Sequence, residues 1–130
     1  MSFFTVPLAE AVRAALIDDA VCGGRIYSYV PPKLVKPYVL IEDFSGRTER
    51  LRGLDVVNEQ FSIKVFDGAE TLENSLNIRQ QITEILIDET FEVAGAGLVL
   101  LSVILELAGF NQDGEDHETM ARFNALLHKE

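Results

Sequence analysis

The sequence predicts an α+β fold: an antiparallel sheet of about four or five strands with two helices packed on one face. Three observations point to it. Two segments, near residues 7–18 and 67–88, space their apolar residues at helical intervals. The segments between and after them read as strands, one in apolar-polar alternation. Hairpin-type turn signals, above all Asp113-Gly114, join them. At 130 residues the chain is a single domain, residues 1–130.

The first helix is expected from about residue 7 to 18. Thr5 is a suitable N-cap, and Pro7 is tolerated in a first turn, where a missing N–H costs nothing. Leu8, Val12, Ala15 and Leu16 share one face, with Glu10 and Arg13 elsewhere, and Gly23-Gly24 ends the segment. A short aromatic strand, Arg25-Ile26-Tyr27-Ser28-Tyr29-Val30, then runs into Pro31-Pro32, which lack backbone donors and break the chain. Pro37 launches a buried strand over Tyr38, Val39, Leu40 and Ile41.

Residues 44–53 are polar and contain glycines and Arg47, Arg50 and Arg52; they read as a long, mobile hairpin loop. Residues 56–66 alternate. Val57, Phe61, Ile63 and Val65 share a face interrupted by Glu59, opposite Asn58, Gln60, Ser62 and Lys64. Asp67 with Glu70 resembles a capping box opening a second helix that extends to about Asp88. Its apolar arc is Leu72, Leu76, Ile78, Ile82, Ile85 and Leu86, with Arg79 inside it, expected to snorkel to the edge or to pair at a subunit interface. The last strand, about residues 118–127, puts Ala121, Phe123, Ala125 and Leu127 on one side and Arg122 and Asn124 on the other.

Residues 98–107 are apolar on nearly both faces: Leu98, Leu100 and Ile104 alternate with Val99, Leu101, Val103 and Leu105. Helices cover only one face of such a sheet, so a second chain is expected to cover part of the other. Phe3, Phe4, Leu98, Leu100 and Ile104 are the residues expected at that contact between copies. The alternative is that a loop or the Phe3-Phe4 arm folds over the strand.

Composition narrows the function. The net charge of −10 disfavours direct binding to nucleic acid, which requires clustered Lys and Arg. No apolar run is long enough for a membrane span, and no basic segment precedes an apolar one at the N-terminus, so an intracellular protein is expected. Cys22 is the sole cysteine and reads as a small residue at a helix end. His117 and His128 have no partner at ligand spacing, and Asn111, Asp113, Glu115 and Asp116 have the wrong spacing for a calcium loop, so no metal and no cofactor are expected. Gly95-Ala96-Gly97 precedes a strand and lacks a following Lys-Ser or Lys-Thr, so it is no phosphate cradle. Glu42 and Asp43 are adjacent in a strand and should point to opposite faces; Ser45 and Ser102 have no activating context. No catalytic constellation emerges. The best candidate contact patch is Arg47, Arg50 and Arg52, which can pair with carboxylates on a partner.

Taken in order, the N-terminal helix, Ile26-Tyr27-Ser28-Tyr29-Val30-Pro31, Pro37-Tyr38-Val39-Leu40-Ile41, Phe61-Ser62-Ile63-Lys64-Val65-Phe66, the following helix, and the closing hairpin from Asp113-Gly114 to Arg122-Phe123 resemble one family. It is the tail-completion (tail-terminator, head-tail joining) family of long-tailed bacteriophages and related prophage and gene-transfer particles. The resemblance covers nearly the whole chain. It implies a non-enzymatic structural protein of the virion tail, made in the bacterial host cytoplasm. It further implies a ring, a hexamer, whose partners are itself, the tail tube protein and the head connector or stopper protein. Two other classes remain open on the residues alone. One is an interaction module unrelated to phage with a self-associating sheet face. The other is an enzyme whose site forms between subunits around carboxylates such as Glu42 or Glu59.

Overall fold

The chain folds in the order α1 (Thr5–Asp18), a 3-10 turn (Val21–Gly24), β1 (Ile26–Tyr27), β2 (Tyr38–Leu51), β3 (Leu54–Asp67), α2 (Glu73–Asp88), β4 (Ala96–Phe110) and β5 (His117–Lys129). The computed structural model describes residues 5–28, 37–51, 54–67, 73–88, 93, 96–110 and 117–129. The strands form one five-stranded sheet in the order β1-β2-β3-β5-β4. Every pairing is antiparallel except β1 with β2, which is parallel, with Ile26 opposite Val39. The expected α+β architecture is therefore present, with a parallel edge the sequence did not disclose.

Hydropathy explains the layers. Leu8, Val12 and Leu16 of α1 and Ile82, Ile85 and Leu86 of α2 are buried in one cluster with Val39, Ile41, Val57, Phe61, Ile63, Val65, Ala121, Phe123, Ala125 and Leu127 of the sheet. Both helices thus lie on the same face. At its centre Phe61 stacks on Phe44 at 5.5 Å and on Phe123 at 5.4 Å, tying three adjacent strands together. Glu59 occupies the same inner face of β3, fully buried between Val57 and Phe61.

The turn after α1 is built from left-handed residues: Ala20, Cys22, Gly23 and Gly24 all have positive φ. At Gly23 the positive φ of +63° favours glycine; the nearest atom to an added Cβ, at 3.1 Å, is the movable end of the Arg25 side chain. The Arg25 backbone N–H then returns to Cys22 O at 3.3 Å, and the Arg25 carbonyl accepts from Val39 N–H at 2.9 Å, starting the parallel pair. Arg13 Nε donates to Ile26 O at 2.9 Å and Arg25 Nε to Pro37 O at 2.9 Å, fixing α1 and β1 against the start of β2. Cys22 is half-buried here, and burial pushes its thiol up to about 11 despite the opposing charge of Arg25. That suits the structural role read from its neighbours.

One expectation needs correction. Of residues 44–53, read as a long loop, 44–51 continue β2: Ser45 pairs with Gln60, Arg47 with Asn58 and Arg50 with Asp55, out to Leu51 opposite Leu54, while 52–53 lie outside the described residues. A strand polar on both faces leaves no period-two hydropathy, so the pattern was invisible, although the backbone ladder forms regardless. Asp67 ends β3, buried, and its carboxylate accepts from Asn74 Nδ2 at 2.7 Å across the approach to α2. Glu70 and Leu72, the other expected members of the cap and apolar arc, lie outside the described residues.

Candidate functional site

The sheet face away from the helices carries the sheet's polar side chains, with Tyr38, Leu40 and Ser62 on it buried. Its three inner strands arrange it in rows. At one end Tyr38 stacks on Phe66 at 4.9 Å, with Tyr27 6.2 Å from Tyr38. The next row centres on Lys64, whose Nζ lies 2.5 Å from Glu42 and 4.0 Å from both Asp43 and Glu118. The hydrogen bond to Glu42 holds the Lys64 ammonium above its ordinary pKa.

Glu42 and Asp43 converge on one lysine because the strand is not regular there. Asp43 has φ 57°, and the register slips between the Glu42–Ser62 and Ser45–Gln60 pairs. This bulge defeats the expected divergence of adjacent side chains and brings Phe44 onto the core ring of Phe61. Among non-glycine residues, Asp and Asn tolerate the left-handed region best, which makes Asp43 a suitable residue for the bulge.

The third row centres on Arg122 of β5. Its Nη1 donates to Ser62 Oγ at 2.7 Å, its Nε to Gln60 Oε1 at 3.2 Å and its Nη2 to Ser45 Oγ at 3.3 Å. Three strands thereby hold one guanidinium, all through neutral acceptors. Beside it opens a cleft of about 200 Å³ lined by Ser45, Gly46, Arg47, Asn58 and Gln60. Those lining residues include no carboxylate, histidine or cysteine, so the cleft offers hydrogen bonds and positive charge rather than acid-base chemistry. Glu59, one of the carboxylates weighed for an enzymatic site, is sealed in the core, and Glu42 is engaged by Lys64. Next along β5, Asn124 Oδ1 is buried without a hydrogen-bond partner.

The residues expected to make contacts are distributed as follows. Arg47 is exposed at the cleft; Arg50 continues β2 opposite Asp55; Arg52 lies outside the described residues. Phe3 and Phe4 also lie outside them. Strand β4 is bulged twice, between Leu98 and Leu100 and between Val103 and Leu105. The expected simple alternation therefore fails: Leu98 pairs with Leu127 and Leu100 with Leu126, positions on opposite faces of the sheet. Leu101 and Val103 pack against the core, while Ile104, at the second bulge, stays 48% exposed. Arg79 reaches Glu106 of the same chain at 3.9 Å. Arg122 and Lys64 were placed by alternation on the polar face, but only the cross-strand register assembles them into networks.

This arrangement of two helices on one face of a bulged, mostly antiparallel sheet has known counterparts. Residues 8–128 match the family model for tail completion protein gp17. The chain belongs to that family. A solved chain in a structure described as the virion of a native gene transfer agent (GTA) particle has the same fold, with a TM-score of 0.89 at 18% identity, over 98% of this chain and 99% of that one. No curated protein matches the chain. Membership in a tail-completion family makes this a structural protein of virion assembly, in keeping with the resemblance read from the sequence.

Proposed function

We propose that the protein forms a ring, a hexamer, that caps the finished tail tube and presents a docking surface to the head connector or stopper protein. The family match across residues 8–128 carries this reading. Two physical features support it. Heterologous contacts between identical copies form rings when the rotation between copies closes. A chain of net charge −10 lining a channel repels phosphate, so DNA passes without being gripped. On this reading the protein resides in the virion tail after assembly in the host cytoplasm.

Arg47, Arg50 and Arg52 are assigned to partner contact, the first two on the part of β2 that pairs with the start of β3. Phe3, Phe4, Leu98, Leu100 and Ile104 are assigned to contacts between copies, with the two faces of β4 serving different neighbours. Electron microscopy of particles lacking the protein tests the whole reading: overlong or headless tails are expected, and normal virions would overturn it. Replacing Arg47, Arg50 and Arg52 together by Ala should abolish capping and head joining. Intact joining would remove the hairpin from the interface.

A further inference from the structure

Within the ring just proposed, on which this inference rests, the structure also indicates which surfaces of neighbouring copies meet. Edge-to-edge strand pairing is poorly served. β1 spans only Ile26–Tyr27, and β4 carries two register shifts that bend its backbone. Contact through faces is better provided for. Arg122 is the centre of the outer face, and its three hydrogen bonds all end on uncharged oxygens. Among the described side chains, the acids of that face, Glu42, Asp43 and Glu118, surround Lys64 instead. In a chain with 21 acidic and 11 basic residues, a guanidinium fixed on three strands without a carboxylate is an unmet charge. Its bond to Ser45, at 3.3 Å and exposed, is the one an incoming carboxylate displaces most readily. The adjoining cleft, with exposed Arg47 at its wall, has room for an entering side chain.

The opposite side of the molecule presents the complement. α2 exposes Glu73, Asn74, Asn77, Gln80, Gln81 and Glu84 along one arc, with Gln80 Nε2 steadying Glu84 Oε1 at 3.3 Å. We propose that the outer sheet face of one copy seats helix α2 of the next, with Arg122 taking a carboxylate of that helix, Glu73 or Glu84. The two surfaces lie on opposite sides of the protomer, so the contact is head-to-tail, the geometry that gives a ring when the rotation between copies closes. A nucleic acid is a poorer occupant. The acids around Lys64 share the face, and a polyanion needs several clustered cations.

The test is the assembly mass of the full-length protein across a concentration series. Wild type should form a ring. Arg122→Glu should raise the concentration at half-assembly by about thirtyfold or more, the low end for losing one partner of a paired charge. Combining Arg122→Glu with Glu84→Arg or Glu73→Arg should restore it. Circular dichroism verifies folding, and Arg122→Gln, which keeps polar contacts but not the charge, decides the matter if the Glu variant does not fold. A ring that forms equally well in both Arg122 variants would overturn the inference and leave the ring standing. So would a dissociated Arg122→Glu that neither swap rescues, or duplex DNA binding that disappears in Arg122→Gln with assembly intact. A wild-type protein that stays monomeric even with purified tail tubes would overturn the ring itself.

Discussion

Phe61 is the residue whose loss should cost this fold most. It is fully buried at the middle of β3, sandwiched between Phe44 of β2 and Phe123 of β5 at interplanar angles of 18° and 14°. Phe61→Ala removes most of a ring from a site whose walls are hydrogen-bonded strands, which cannot collapse inward to fill it. Phe-to-Ala changes in cores cost about 3–5 kcal/mol, and the rigidity of the walls places this one near about 4. Against a typical domain stability of about 5–15 kcal/mol, that is about a quarter or more of the total. The melting temperature should fall by about 15 °C, at roughly 4 °C per kcal/mol. Equilibrium urea unfolding measures the loss, provided the slope of the transition is unchanged. Phe61→Leu keeps most of the volume and should cost about 1.5 kcal/mol. Because Phe61 and Phe123 touch, the double Ala variant should cost less than the sum of the singles by about 0.5–3 kcal/mol. If Phe61→Ala loses under about 1.5 kcal/mol, or Phe61→Leu costs as much as Ala, the three-ring stack does not organise the core.

Other consequences follow from individual groups. With its pKa raised from 9.0 to about 11, Cys22 holds about a hundredth of the usual thiolate fraction at pH 8. Higher intrinsic nucleophilicity recovers part of that, so labelling by a disulfide reagent should run about tenfold slower than for the unfolded chain. Equal rates would mean the thiol is not shielded. Lys64 has a folded pKa above its ordinary 10.5, so its pairing stabilises fully below that value and is lost as pH rises through the folded pKa. The urea midpoint of wild type should therefore fall more steeply than that of Lys64→Met above about pH 10.5; parallel curves would refute the coupling. Asn124→Val removes a buried acceptor with no partner and adds a β-branched side chain to a strand, so stability should rise by about 1 kcal/mol. A loss of stability in urea would show that the amide is satisfied after all.

The parts of the fold legible in the sequence are those where one face is buried and the other is not. Leu8, Val12 and Leu16, and Ile82, Ile85 and Leu86, announced both helices because each has a wet side. Ala121, Phe123, Ala125 and Leu127 announced β5 for the same reason, and all four are fully buried. Legibility ended where burial stops discriminating. Residues 45–51 of β2 pair with β3 along the backbone, which hydropathy does not record. In β4, apolar residues on both sides hid two bulges, since a slip that moves leucine from one face to the other leaves no trace in a run of leucines. The Arg122 network was out of reach for a third reason. Its members come from β2, β3 and β5, and their meeting depends on a register that no single segment encodes.

The correction to residues 44–51 changes the physics of the proposed arginine contact. A mobile loop must be ordered on binding, at about 0.5–1.5 kcal/mol for each immobilised long side chain and more for the backbone. A paired strand has already met the backbone part of that cost during folding. Arg47 sits opposite Asn58, and Arg50 opposite Asp55, one position from the end of a ladder that closes with Leu51 and Leu54. On the other side, pairing of β3 with β5 reaches only to Val56 and His128, so the hairpin tip extends beyond its neighbour by about two residues, or roughly 7 Å. Such a short projection is stiff enough to hold a fixed angle yet free of the sheet on one side. If the protein fits between two other assemblies, as proposed, a preset arm loses less entropy on docking than the loop it was taken for. The core stack secures that arm at its root, through Phe44 on Phe61 just before Ser45. Phe61→Ala should accordingly increase amide exchange of residues 45–51 before it unfolds the helices.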